Sequence, residues 1–227
     1  MVSWISININ MIKYCTLVYG KELCELYSSK LNEFAKNNKL FVYTNYPDYF
    51  PNCKTVKYTR DVFSYYEKLP FILSLVNKLK QRVLYFDVDS IDLIKDNSYE
   101  FDNESVYSFK IFKNSSYSKN ELKKELGLSV LCDIYDELGS YTCDEVDYVH
   151  ERIISIPCYK NIESILEEII KLQPIFEERF SKNKKWPNHT FQKYSKIGCG
   201  YGEGGALSLV LKDNNLKIKK LISNILI

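Results

Sequence analysis

The segment QRVLYFDVDSIDLI, residues 81–94, decides how the fold is interpreted. A run of strand-forming apolar residues, Val83–Phe86, leads directly into two aspartates, Asp87 and Asp89, one residue apart. Carboxylates are costly to bury, and a pair at the end of a core strand rarely lacks a partner. The segment therefore predicts a buried strand whose end carries a functional site.

Strand and helix patterns alternate before this segment. The predicted strands are 12–19, 39–44 and 54–59, and the predicted helices are 21–37 and about 62–80. Pro70 is expected as a kink or a first-turn residue of the second helix. The alternation is typical of an α/β domain with a mainly parallel sheet. Ligands of such sheets bind beyond the carboxyl ends of the strands, which is where Asp87 and Asp89 lie.

The second half is less regular, and no linker divides it from the first, so one domain is expected over residues 1–227. The sequence predicts a strand at 105–112, a helical or loop-helical segment at 121–140, one or two strands at 146–157, an amphipathic helix at 162–180 with a break at Pro174, and a glycine-dense loop passing into a helix at 197–211.

Composition excludes several classes of protein. The 227 residues are 45% hydrophobic, and 31 Lys+Arg against 29 Asp+Glu give a net charge of +2, so no nucleic acid is expected as a partner. No apolar run is long enough to span a bilayer, and no signal-peptide pattern is seen, which favours a cytoplasmic location. Seven Cys without a C-x-x-C pair, and only two His, predict reduced, mostly buried thiols rather than a disulfide framework or a zinc site.

The spacing of the two aspartates suits a hard cation. Alternate side chains of an extended segment point to the same side, so Asp87 and Asp89 can converge on one ion, or one can bind directly and the other through water. Two carboxylates with water suit Mg²⁺ or Mn²⁺, and the open positions take phosphate oxygens. The alternative is that Asp87 caps the following turn and Asp89 is simply exposed.

The run from Tyr14 to Ile94 resembles the nucleotide-sugar glycosyltransferases of the GT-A fold. The resembling pieces are TLVYGKEL, FVYTNYPD, SYYEKLPFILSLVNKL and LYFDVDSIDL. The resemblance implies a GT-A-type open, mainly parallel sheet flanked by helices, with a nucleotide-sugar-binding half at about 12–100 and an acceptor-side half at about 101–227. It also implies a metal-dependent, hexosyltransferase-like enzyme that moves a sugar from a UDP- or GDP-linked donor to a hydroxyl of a glycan, glycolipid or protein acceptor.

The resemblance implies roles for individual residues of the first half. Asp87 and Asp89 would hold Mn²⁺ or Mg²⁺ on the donor diphosphate, with Asp89 as the more direct ligand. Lys68 resembles a basic residue that reaches the donor, and its alternative is a solvent-facing helix lysine. The implied donor-binding residues are Val18, Tyr19, Gly20, Thr44, Asn45, Arg60, Lys68, Asp87 and Val88.

The resemblance is looser in the second half. GYGEGGALSLVL, residues 200–211, resembles an acidic element before a helix on the acceptor side, and Glu203 is the matching carboxylate. Glu203 would hydrogen-bond the donor sugar, orient the acceptor hydroxyl or act as a base. Trp186 and His189 lie just upstream of this element and are expected at the acceptor site, where the aromatic plane of Trp186 suits a sugar ring. Their alternatives are packing against the C-terminal helix for Trp186 and, for His189, a surface position or a position behind the site residues. A third metal ligand, often His in such enzymes, is missing after residue 211, where Asp213 is the only carboxylate.

Two other functions and one further partner remain open. A strand followed by D-x-D also begins aspartyl-nucleophile phosphohydrolases, although there the motif usually sits on the first strand. A catalytically inactive nucleotide- or glycan-binding module is the non-enzymatic alternative. The C-terminal tail, residues 215–227, alternates Lys with apolar residues and predicts weak peripheral membrane contact, with packing against the sheet as its alternative.

Overall fold

The computed structural model describes residues 12–58, 60, 64–95, 99–124, 129–182 and 202–221. The strands are β1 (Lys13–Val18), β2 (Leu40–Thr44), β3 (Lys54–Lys57), β4 (Val83–Phe86), β5 (Val106–Ser108), β6 (Ile111–Phe112), β7 (Tyr148–Val149), β8 (Ile153–Ile156) and β9 (Ile218–Lys220). The helices are α1 (Lys21–Asn37), α2 (Lys68–Leu79), α3 (Ile91–Lys95), α4 (Lys119–Lys124), α5 (Ser129–Leu138), α6 (Ile162–Lys182) and α7 (Gly202–Asp213).

One seven-stranded sheet organises the chain, with strand order β3-β2-β1-β4-β8-β5-β9. Strand β8 is antiparallel to both of its neighbours, and the other six strands share one direction. The predicted class, an α/β fold with a mainly parallel central sheet, is confirmed. The chain builds β2 and β3 on one side of β1 and then returns to place β4 on the other side. The strand order therefore reverses between β1 and β4, which makes a topological switch point.

Helices cover both faces of the sheet, because alternate strand residues point to opposite sides. Val83 and Tyr85 of β4 belong to a core shared with α2, α6 and α7, whereas Leu84 and Phe86 belong to a second core shared with α1 and α3. Every residue of β4 is buried, as expected for a strand covered on both faces. This double covering explains why its sequence is apolar throughout and ends in a polar motif.

The structure refines several predicted boundaries. Helix α2 begins at Lys68 rather than near residue 62, after a 3-10 turn at Tyr65–Glu67, so Pro70 lies in the first turn. The predicted strand 105–112 divides between two sheets, because β6 leaves the large sheet and pairs with β7. Helix α6 continues through Pro174 without the predicted break. The limits of the single domain and of its two halves stay a prediction.

The prediction of reduced thiols is wrong for two of the cysteines. Cys132 of α5 and Cys143, in the turn before β7, form a disulfide with their Cα atoms 4.9 Å apart. The chain reverses after α5 and brings the two residues within bonding range. Cys15 and Cys24 are free and buried, as predicted.

The described part of the C-terminal tail is an edge strand. Strand β9 pairs in parallel with β5. Lys217 pairs with Glu104 at 3.0 Å, and Lys219 pairs with Asp102 at 2.7 Å. This part of the tail thus packs against the sheet, and membrane contact stays a prediction. In the parts of the chain that the structure describes, no helix has the length and apolar character needed to cross a bilayer. The cytoplasmic location also stays a prediction.

Candidate functional site

The candidate site lies at the carboxyl ends of β1, β2 and β4, around the switch point. Gly20 follows β1 with a φ of +91°, a conformation that glycine adopts without strain. Its N–H donates to Asn45 Oδ1 at 3.0 Å, so the residues after β1 and β2 are joined by a hydrogen bond. A Cβ atom added at Gly20 would meet nothing within 4 Å, which leaves this backbone open to a ligand.

Three other predicted donor residues at these strand ends support the scaffold. Val18 and Thr44 are fully buried, so their side chains serve the core. Thr44 Oγ1 accepts from the Tyr46 N–H at 3.1 Å and fixes the turn after β2. The Tyr19 ring packs against Tyr58 with 4.9 Å between centroids. The structure brings these residues to the predicted edge, but their roles towards a donor stay predictions.

Asp87, the first residue of the motif, is held directly after β4. Its N–H donates to the Arg152 carbonyl at 2.7 Å, because the antiparallel pairing of Phe86 with Ile153 places Asp87 opposite Arg152. Its Oδ1 accepts from the Tyr85 hydroxyl at 2.7 Å and lies 3.1 Å from Lys68 Nζ. The Asp87 side chain remains 35% exposed, so the carboxylate is anchored on one side and open on the other.

Lys68 is a buried part of the site. Its side chain is only 5% exposed, so the interpretation as a solvent-facing helix lysine is wrong. Its Nζ lies 4.0 Å from Glu151 Oε1 and 5.3 Å from the centroid of the Tyr85 ring, in addition to its contact with Asp87. A buried ammonium needs such compensation, and two carboxylates and an aromatic face supply it.

Glu151 is a site residue that the sequence did not reveal. It lies in the turn between β7 and β8, is almost fully buried, and accepts from the Tyr148 hydroxyl at 3.4 Å. A Cβ atom at Gly204 of α7 would lie 2.4 Å from both Glu151 Oε2 and the Tyr148 hydroxyl. The start of α7 therefore rests directly on Glu151, and only glycine fits there without a shift. A charged residue between two short strands looks like an exposed turn in the sequence, so no local signal marks it.

Asp89 has a different cationic partner from Asp87. It lies in a 3-10 turn, Val88–Ser90, and not in an extended segment, so the alternation assumed for the motif is wrong. Arg152 Nη2 lies 3.2 Å from Asp89 Oδ2, and Arg152 Nε donates to Ser90 Oγ at 2.7 Å. Val88 between the two aspartates is half-buried against the core shared with α1 and α3.

His150 is a second residue that the sequence analysis did not place at this site. Burial and the nearby Lys68 ammonium lower the pKa of His150 to about 4. Its Nδ1 accepts from the Arg152 N–H at 3.1 Å. The imidazole is therefore neutral at pH 7, and its Nδ1 is occupied as a hydrogen-bond acceptor.

The carboxylates of this site are accompanied by cationic side chains. Asp87, Asp89 and Glu151 contribute three carboxylates, and Lys68 and Arg152 contact them as two cations. Lys110 acts electrostatically on the neighbouring His150. Within the described ranges, no three His, Cys, Asp or Glu side chains come together as a metal-binding group. The predicted role of Asp87 and Asp89 as metal ligands therefore stays a prediction.

Arg60 lies outside the cluster around the motif. It pairs with Glu67 at 2.6 Å and with Glu177 of α6 at 3.2 Å. These contacts tie the residues after β3 to the start of α2 and to α6. The structure therefore does not bring Arg60 together with Asp87 and Asp89, and its predicted role towards the donor stays a prediction.

Three predicted residues of the acceptor side are not part of the described site. Trp186 and His189 lie outside the described residues. Glu203 is the second residue of α7, and its side chain is also outside the described part. The next residue, Gly204, touches Glu151, so the backbone of Glu203 lies one residue from the cluster.

No protein-family model matches the sequence, and no curated protein matches it. Among solved structures, the chain is similar to the glycosyltransferase GlyE of Streptococcus pneumoniae TIGR4, with a TM-score of 0.42 and 11% sequence identity. The likeness covers 93% of this chain and 45% of the GlyE chain, so this chain spans less than half the length of that structure. Because a likeness this distant does not indicate function, the function is inferred from the site itself.

Proposed function

We propose that the chain is a metal-dependent glycosyltransferase of the GT-A type. It moves a sugar from a UDP- or GDP-linked donor to a hydroxyl of a glycan, glycolipid or protein acceptor. One observation carries the proposal: two carboxylates, Asp87 and Asp89, lie at the carboxyl end of β4, beside the switch point with β1. Open α/β sheets bind nucleotides at such a point.

The chemistry of the two carboxylates fits a hard divalent cation. Both side chains are more than a third exposed. The contacts of the Asp87 side chain within the described residues are made by Oδ1. Asp89 would hold Mn²⁺ or Mg²⁺, with Asp87 as a second ligand or linked through water. Bound there, the ion would supply positive charge against the negative charge that develops on a leaving diphosphate.

The ends of β1 and β2 are proposed to hold the nucleotide. The backbone after β1, at Tyr19 and Gly20, is joined to Asn45 and is open at the Gly20 Cα. Peptide groups at this edge are suited to bind a base and ribose, since small-molecule sites combine a shaped surface with few fixed polar groups. Lys68 fixes the position of the Asp87 carboxylate at this edge through their ion pair.

The transfer step requires one bond to break and one to form. The bond between the anomeric carbon and the diphosphate oxygen breaks, and its electron pair leaves with the diphosphate. The acceptor oxygen bonds to the anomeric carbon, and its proton passes to a base, the role proposed for Glu203. Trp186 and His189 are proposed to bind the acceptor. Preorganised charge at the diphosphate lowers the barrier, because it is in place before negative charge develops.

A binding screen followed by one substitution tests this function. Thermal unfolding is measured with UDP, GDP and their sugars, with and without Mn²⁺, because a ligand that binds the native state raises the melting temperature. The sugar donor that stabilises the protein most is then assayed for release of free nucleotide. Asp89→Asn should lower this activity by orders of magnitude while leaving the unfolding curve intact.

The same assays separate the other two functions. Release of inorganic phosphate from simple phosphate esters, without consumption of a nucleotide sugar, would instead support a phosphohydrolase. Nucleotide binding without any turnover would support a binding module. Asp89→Asn with near-full transferase activity would remove the proposed role of the motif.

A further inference from the structure

Both carboxylates of the motif already contact a cationic side chain. Lys68 is buried against Asp87, with its side chain 5% exposed. Arg152 reaches Asp89 from the turn before β8, and the two side chains are 39% and 56% exposed. Removing a buried cation from its carboxylates is costly, whereas an exposed ion pair is weak and opens readily. Asp89 is therefore the carboxylate that can change its partner.

Arg152 stays beside the motif even when its contact with Asp89 opens. Its Nε donates to Ser90 Oγ at 2.7 Å, and its N–H donates to His150 Nδ1 at 3.1 Å. Its carbonyl accepts from the Asp87 N–H at 2.7 Å. These three contacts do not involve Asp89. A guanidinium has five N–H donors in a fork that matches phosphate oxygens, and the contacts described use two of them.

We propose that Arg152 exchanges partners when the donor binds. In the ligand-free protein it neutralises Asp89, and on donor binding its guanidinium passes from Asp89 to an oxygen of the diphosphate, so that Asp89 becomes available to the divalent ion. This inference rests on the proposed function, because it requires a diphosphate and a divalent ion at the motif. It makes the two bindings cooperative: the diphosphate tightens Mn²⁺ binding, and Mn²⁺ tightens diphosphate binding by the same factor.

Direct measurement of Mn²⁺ affinity tests the exchange without an activity assay. Mn²⁺ binding is measured by calorimetry or electron paramagnetic resonance with Mn²⁺ alone, with UDP and with GDP. In Arg152→Gln, Mn²⁺ alone should bind about tenfold more tightly, because a competing positive charge is gone from Asp89. The tightening caused by UDP or GDP should shrink by about tenfold, since the diphosphate loses its guanidinium partner.

Two variants control for charge and for folding. Arg179→Gln removes the same charge from α6, where Arg179 pairs with Glu137, and should bind Mn²⁺ like the wild type. Arg152→Lys keeps the charge but not the fork, so it should keep the weak affinity for Mn²⁺ alone and lose part of the nucleotide effect. If Arg152→Gln does not fold, this lysine variant decides, because full retention of the nucleotide effect would overturn the exchange.

The outcomes distinguish this inference from the proposed function. If the wild type binds Mn²⁺ with UDP or GDP and Arg152→Gln shows unchanged or weaker affinity for Mn²⁺ alone, only the exchange is overturned. An undiminished nucleotide effect in Arg152→Gln overturns it in the same way. If neither the wild type nor any variant binds Mn²⁺, with or without UDP or GDP, the metal site of the proposed function is overturned as well.

Discussion

Lys68 Nζ lies 3.1 Å from Asp87 Oδ1, so a buried ion pair joins the start of α2 to the first residue of the D-x-D motif. Glu151, on the turn before β8, lies 4.0 Å from the same ammonium. One cation therefore connects three elements that come from separate parts of the chain. The geometry of the motif depends on this cation and not only on strand β4.

Replacing Lys68 by Met should destabilise the protein by about 3 kcal/mol. Met fills a similar volume but removes the ammonium that contacts the nearly buried Glu151 carboxylate and Asp87. Urea unfolding followed by circular dichroism measures the change in the free energy of unfolding. Lys78→Met, at an exposed position of the same helix, is the matched control and should change it by less than about 0.5 kcal/mol. Equal stability of the two variants would show that the buried pair contributes nothing.

Local sequence patterns predicted the first half of the fold because its order follows from short-range features. Apolar runs of strand length at β1, β2 and β4 gave the parallel strands, and the helical spacing of 21–37 gave α1 with its observed limits. The placement of the aspartates beyond a strand end followed from the same patterns. The prediction of an extended motif was wrong, because Asp89 lies in a 3-10 turn that the residues of the motif do not indicate.

The partners of the motif were not predictable from local pattern, because they arrive through long-range pairing. Arg152 is 63 residues from Asp89 and 62 from Ser90 in sequence. It reaches them because β8 runs antiparallel to β4, and no periodicity shows which strands pair. Glu151 and His150 come with the same turn. The Cys132–Cys143 disulfide has the same origin, since it depends on a chain reversal after α5.

Gly204→Ala should destabilise the protein by about 1–2 kcal/mol. The new Cβ would lie 2.4 Å from Glu151 Oε2 and from the Tyr148 hydroxyl, and both side chains are buried. The cost of overpacking exceeds the gain of up to about 1 kcal/mol that Ala brings to a helix. Thermal and urea unfolding of the single variant measure the net effect.

A double-mutant cycle measures how much the Tyr148 hydroxyl contributes to this loss. Tyr148→Phe removes the hydroxyl that Gly204→Ala would approach, so the alanine should cost less in the Tyr148→Phe background than in the wild type. The interaction energy should be at least about 0.5 kcal/mol. Additive effects of the two substitutions would mean that the Tyr148 hydroxyl does not cause the loss, which would then come from Glu151 Oε2 and the Tyr148 ring.

The free energy of unfolding should decrease as the pH falls through the range in which His150 titrates. Its pKa is lowered from 6.5 to about 4 by burial and by the Lys68 ammonium, so the folded protein holds the neutral form. Between these two values the unfolded chain binds a proton that the folded chain does not, so stability decreases as pH falls from about 6.5 towards 4. The charged groups facing the imidazole are Lys68, Asp87, Lys110 and Arg152. The full His150 contribution should be about 3 kcal/mol.

His150→Asn separates this contribution from that of the carboxylates. Asn keeps an acceptor for the Arg152 N–H but does not titrate in this range. Urea unfolding at pH 4.5, 5.5, 6.5 and 7.5 should show that the wild type loses about 2 kcal/mol more than the variant across the series. Parallel pH profiles for the two proteins would contradict a buried, neutral His150.

Reduction should destabilise the protein through the Cys132–Cys143 disulfide. The bond closes a loop with a sequence separation of 11, and the chain-entropy estimate for such a loop is about 2.5 kcal/mol. Urea unfolding with and without dithiothreitol should differ by about this amount. The double variant Cys132→Ser with Cys143→Ser should have about the stability of the reduced wild type in both conditions and no response to the reductant. Thiol titration of the unfolded, unreduced wild type that counts all 7 cysteines as free would show that the disulfide does not form.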